Sequence, residues 1–90
     1  MAILIHTSGI VEKIKPLNGN DFTVEEIQKH IQGYFQVAAR FQKDEVSEEF
    51  FVLCDEEGLI KELPFNSLGS EIALKHLVGP VLICNNIEFK

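Results

Sequence analysis

Positive charge is what this chain has least of. Eight Lys plus Arg stand against fourteen Asp plus Glu among 90 residues, for a net charge of −6. Nucleic-acid binders draw much of their affinity from neutralising phosphates with Lys and Arg, so RNA and DNA are not expected ligands. Imitation of DNA by an acidic protein would need a dense carboxylate stripe. Asp44, Glu45, Glu48 and Glu49 form one cluster and Asp55, Glu56 and Glu57 another, but Arg40, Lys43 and Lys61 interrupt them. A solvated, solubilising face accounts for both clusters.

Long apolar runs are missing too. No stretch approaches the roughly 20 residues that a membrane span needs, and Met1 to Ile5 is too short for a signal peptide. No Pro/Ser/Gly-rich tract, repeat or low-complexity segment marks a linker or a disordered region. The expectation is one domain over residues 1–90 with no membrane partner and a cytoplasmic location.

Metal-ligand and catalytic spacings are equally scarce. His6, His30 and His76 contain no i, i+4 pair, and Cys54 and Cys84 form no Cys-x-x-Cys, so no zinc site is expected. Both cysteines end apolar runs, as small buried thiols of reduced proteins do. A disulfide would require their Cα atoms within about 7 Å, which spacing leaves open. A nucleophilic pair could be drawn from Cys54 or Cys84 with His6 or His76, but any fold holding these residues allows that assignment, and enzyme activity is not expected. Asp55, Glu56 and Glu57 lack the spaced oxygen ligands and bidentate Glu of a calcium loop and read as a solvated turn. No cofactor is expected.

What the chain does have is patterning. Ala2 to Ile5 and Ile10 to Ile14 read as a hairpin around His6-Thr7-Ser8-Gly9, the second strand at a sheet edge. Thr23 and Glu26 form a capping box, and Phe22 and Ile27 a hydrophobic staple. These start a helix whose buried stripe is Val24, Ile27 and Ile31, with Gly33 as its left-handed stop. Tyr34 to Phe41 alternates, Phe35, Val37, Ala39 and Phe41 on one face and Tyr34, Gln36, Ala38 and Arg40 on the other. Gln42 to Glu49 is a polar loop closing an antiparallel hairpin with the next strand.

Phe50 to Cys54 is apolar throughout and reads as a strand covered on both faces. A turn with Gly58 at positive φ and a returning strand, Leu59 to Leu63, follow. Pro64 ends that strand, and a helix begins at Asn66 or Ser67 and runs to about Leu77. Val81 to Cys84 is the last strand, and Ile87 to Phe89 either extends the sheet or does not.

The expected fold is therefore α+β, a single two-layer domain. It has a mainly antiparallel sheet of five to six strands with two helices on one side, in the order β-β-α-β-β-β-α-β.

The candidate binding residues are few. Asn66, Ser67 and Ser70 sit at a helix start with one glycine and no lysine before Lys75, enough to hold a small anionic ligand weakly or simply to cap. Tyr34 and Arg40 lie on the polar face of a strand and could belong to a ligand or partner surface.

Three segments then resemble a known family when taken in order. Val52-Leu53-Cys54-Asp55-Glu56-Glu57-Gly58, Leu63-Pro64-Phe65-Asn66 and Val78-Gly79-Pro80-Val81-Leu82-Ile83 are similar to the domain-of-unknown-function family numbered 3846, found in phages, plasmids and bacteria. Gly69 departs from the alanine often seen there, and Leu77 from a polar residue. The resemblance implies a mobile-element accessory protein and transfers no catalytic residue. The leading functional expectation is a non-enzymatic interaction module that binds and modulates a host protein, or pairs with its own copy through an edge strand. The alternative, from a different class, is a homo-oligomer that binds or sequesters a nucleotide-like anion.

Overall fold

The structure is a computed structural model and describes residues 2–42, 49–86 and 88–89. In chain order the elements are β1 (Ala2–Ile5), β2 (Val11–Ile14), α1 (Val24–Ile31), β3 (Phe35–Gln42), β4 (Glu49–Asp55), α2 (Ser67–Ala73) and β5 (Val81–Asn85). All five strands join one antiparallel sheet in the order β2-β1-β5-β4-β3. The expected α+β class, with a mainly antiparallel five-stranded sheet and two helices, is what the chain adopts.

The arrangement of the helices differs from the expectation that both lie on one side. Along β4 and β5 consecutive residues are apolar, and strand geometry sends consecutive side chains to opposite faces. Leu53, Leu82 and Cys84 therefore pack with Ala2, Leu4, Phe22, Ile27 and Ile31 beneath α1. Val52, Cys54, Val81 and Ile83 pack with Ile5, Ala73 and Leu77 beneath α2. Val52, Leu53, Val81 and Leu82 are fully buried, each side chain contributing about 1.5–3 kcal/mol. Two such faces need two covers, so the sheet lies between the helices.

α1 begins as its sequence dictates. Thr23 Oγ1 accepts from the Glu26 amide at 3.1 Å, and the Glu26 carboxylate accepts from the Thr23 amide at 3.0 Å, closing the capping box. Phe22 and Ile27 of the staple are both buried in the α1-side core. Two details differ. Val24 points to water, and the left-handed stop is Gln32, at φ 68°, not Gly33. Gly33 is needed for space: a Cβ there would lie 2.6 Å from the Asp55 carboxylate.

β3 does not alternate strictly. Val37 pairs with Leu53 but Ala39 with Val52, so Ala38 sits in a β-bulge. The extra residue inverts the faces beyond it. Phe35 packs toward α1, whereas Phe41 stacks on Phe50 at 5.6 Å on the α2 side, and Arg40 turns to the α1 side over the Phe51 ring. β2 is an edge strand, as expected, and β3 is the other edge.

The expected strand from Leu59 to Leu63 does not form. Residues 56–62 are consecutive turns, closed by hydrogen bonds from Lys61 N to Glu57 O and from Leu63 N to Gly58 O. The residue at positive φ is Glu62, not Gly58. Asp55 anchors these turns. Its buried carboxylate takes the Glu57 amide at 2.8 Å and the Lys61 ammonium at 2.7 Å. A return strand could not pair with β4 in any case, because both edges of β4 are taken, by β3 and by β5. The chain straightens only at Phe65, which forms a single antiparallel bridge with Val78.

α2 stops at Ala73 with Leu74 in the left-handed conformation, so Leu77 is core without being helical. At the other end of the chain the Glu88 carbonyl accepts from the Phe22 amide, and Phe89 packs against Phe35 and Phe51. The expected polar loop between β3 and β4 falls mostly on residues 43–48, outside the described residues, as does Ile87.

Candidate interaction site

Asn66, Ser67 and Ser70 are placed together at the start of α2, but two of the three are occupied with the fold itself. Asn66 is buried, its Oδ1 accepting from the Gly69 amide at 2.8 Å while Nδ2 donates to the carbonyls of Ile5 (3.0 Å) and Gly79 (2.9 Å). Ser70 Oγ accepts from the Leu77 amide at 2.7 Å and donates to the Leu77 carbonyl at 3.1 Å. Ser67 is exposed. Gly69, between them, has no room for a side chain: a Cβ would stand 2.7 Å from Val81 Cγ2 and 3.0 Å from Asn66 Oδ1.

Tyr34 and Arg40 are not brought to this cluster. Tyr34 is exposed just before β3, its carbonyl accepting from the Glu56 amide. Arg40 is six residues further along, about 20 Å at the rise of a strand. It pairs with Glu49 at 3.3 Å on the α1 side of the sheet.

The most distinctive surface is one that sequence reasoning assigned to a strand. Leu59 is 74% exposed and Ile60 80% exposed, and both border a cleft of about 310 Å³ on the α2 side of the sheet. Gln36 and Cys54 line the cleft from β3 and β4, and His76 from the loop after α2. His76 is held by stacking on Phe65, ring centroids 4.8 Å apart. Glu56, Glu57 and Glu62 flank the two aliphatic side chains in sequence, and the cation among them, Lys61, is committed to Asp55. That hydrogen bond holds the Lys61 ammonium above the usual lysine range.

Cys54 and His76 thus share one cleft. Burial pushes the Cys54 thiol up, outweighing the lowering effect of its contact from Gln36 Nε2 at 3.8 Å. A nucleophilic cysteine needs the opposite shift. Burial, and secondarily Glu88, pushes the Cys84 thiol up to about 12. The two cysteines are free and face opposite sides of the sheet. Among the described residues no cluster of three or more His, Cys, Asp or Glu could hold a metal ion, and no helix is long and apolar enough to cross a membrane.

A second cleft, of about 280 Å³, opens between the end of β2 and α1 and is lined by Ile14, Lys15, Leu17, Glu26, Lys29 and His30. Glu26 is turned away from ligand chemistry by its own fold contacts, accepting from the Leu17 amide at 2.8 Å as well as from Thr23. These backbone donors, Thr23 first, hold its carboxyl below the usual range. His30 stands edge-on to Phe22.

No curated protein and no solved structure gives a significant match to the chain. The family model described as "Domain of unknown function (DUF3846)" matches residues 1–89, nearly the whole sequence, and the chain belongs to that family.

Proposed function

We propose that this protein is a non-enzymatic interaction module whose contact surface is the Leu59-Ile60 turn and the cleft beside it. The observation that carries the reading is the exposure of two adjacent large aliphatic side chains on a turn that is itself tied by the exposed Lys61 to the buried carboxylate of Asp55. Apolar side chains held out into water on a fixed support have little ordering entropy left to lose on binding. The flanking carboxylates select a partner with an apolar depression rimmed by Lys or Arg. In the setting that the family resemblance implies, a phage- or plasmid-borne accessory protein, that partner is a host protein. The raised Cys54 thiol in the same cleft favours recognition over covalent chemistry.

The test is quantitative affinity capture from bacterial extract with the wild type and a Leu59→Ser/Ile60→Ser double variant. The wild type should enrich a partner that the double variant loses, while the two unfold at the same temperature because neither side chain is buried. A partner set that the double substitution leaves unchanged would overturn the assignment of this surface.

A further inference from the structure

The cations of the described chain divide into two groups. Lys61 is paired with Asp55, Arg40 with Glu49, and the Lys75 ammonium donates to the Ala38 carbonyl. Lys13, Lys15 and Lys29 have no carboxylate partner among the described residues, and of these Lys15 and Lys29 line, with His30, the same cleft between β2 and α1. In a chain of net charge −6, the lining of this cleft holds two ammonium side chains and an imidazole against a single carboxylate. The carboxylate that lines the cleft, Glu26, is already compensated by the amides of Leu17 and Thr23. The remaining wall is apolar: Ile14 is half-buried, and Leu17 is 89% exposed.

We propose that this cleft binds a small organic anion, a phosphate monoester or carboxylate carried on an apolar body. Lys15 and Lys29 hold the charged head, His30 donates a ring N–H to it, and the body lies against Ile14 and Leu17. Charge-assisted hydrogen bonds to a partly enclosed anion are the strong ones. A planar or aliphatic body also gives Leu17 the cover that the fold withholds. The site is independent of the Leu59-Ile60 surface. It also places anion binding at α1 and β2 instead of the start of α2, where the polar atoms of Asn66 and Ser70 already serve the backbone.

The experiment is an amide-resolved NMR titration of the intact chain with phenyl phosphate, benzoate, inorganic phosphate and benzyl alcohol. A saturable shift centred on Lys15, Leu17, Lys29 and His30 is expected with phenyl phosphate or benzoate, and the tighter of the two assigns the head group. Benzyl alcohol, which lacks the charge, should not bind, and inorganic phosphate, which lacks the body, should bind more weakly. Lys15→Gln and Lys29→Gln should each weaken binding by about tenfold, whereas Lys13→Gln, outside the cleft, should not. Because both lysines lie at the surface, an unchanged unfolding midpoint certifies each variant. Shifts spread evenly over Lys13 and Lys75, a Lys29→Gln variant that binds like the wild type, equal binding of benzyl alcohol, or no response to either organic anion would overturn the proposal.

Discussion

The Asn66 side chain donates from Nδ2 to the carbonyl of Ile5 at 3.0 Å, joining the start of α2 to the end of β1 across sixty-one residues of sequence. The same amide group reaches Gly79, and its oxygen caps α2 at Gly69. One fully buried side chain therefore fixes three segments.

Replacing Asn66 with alanine should lower unfolding free energy by about 2–4 kcal/mol, because the cap is lost and buried backbone groups are left without partners. Asn66→Asp should cost at least as much, although Asp is a good cap elsewhere. Its carboxylate would keep the Gly69 contact but face the carbonyls of Ile5 and Gly79 with no hydrogen to donate. Urea unfolding of the two variants checks both statements; an aspartate variant as stable as the wild type would remove the three-way tie.

Gly69→Ala should destabilise, reversing the usual gain of alanine over glycine inside a helix. The added methyl would meet Val81 Cγ2 at 2.7 Å on the central strand. Overpacking of this kind costs about 1–3 kcal/mol. Pairing the substitution with Val81→Ala should recover part of the loss, a coupling that a double-mutant cycle measures.

Stability should fall in alkali for a reason located at Cys84. Its thiol is raised from an ordinary value of 9.0 to about 12 by burial. A raised folded value means that the contribution is complete below the unfolded value and is lost as pH climbs through the folded one. Between pH 9.0 and about 12 the unfolded chain releases this proton while the folded chain keeps it, costing up to about 1.4 kcal/mol per pH unit. Cys54 and Lys61 are shifted in the same direction. Cys84→Ala should therefore flatten the alkaline slope without abolishing it. In acid the sign reverses at Glu26, whose lowered carboxyl contributes above its unfolded value and loses that contribution as pH falls through its folded one. Denaturant midpoints across pH for the wild type and Cys84→Ala give the comparison.

Much of this fold was legible locally and little of it at long range. Thr23 and Glu26 announce a helix start because both halves of the capping box lie within four residues, and the structure forms it as written. The five strands show in their apolar runs for the same reason. The apolar runs of β4 and β5 imply two covered faces by period-two geometry, but nothing local in the sequence says which helix covers which face. The bulge at Ala38 leaves no mark in an alternating sequence, since Val37 and Ala39 are both apolar whichever face they take. Leu59 to Leu63 resembles a strand because composition cannot register that Asp55 will bind Lys61 back across the turn.

The candidate site was least legible of all. Asn66 and Ser70 look available in sequence because the groups that occupy them belong to the backbone of Ile5, Leu77 and Gly79. Lys15 and Lys29, fourteen residues apart in sequence, share a cleft only because β2 ends beside α1.

The position of β5 in the sheet carries a consequence for synthesis. It lies at the centre, between β1 and β4, yet it is synthesised after the other four described strands. The β1–β2 and β3–β4 hairpins can each form while translation continues, but nothing joins them into one sheet until Val81–Asn85 clears the exit tunnel. A nascent chain arrested before that point would present two half-sheets with open inner edges, the form in which this protein is most exposed to chaperones and proteases.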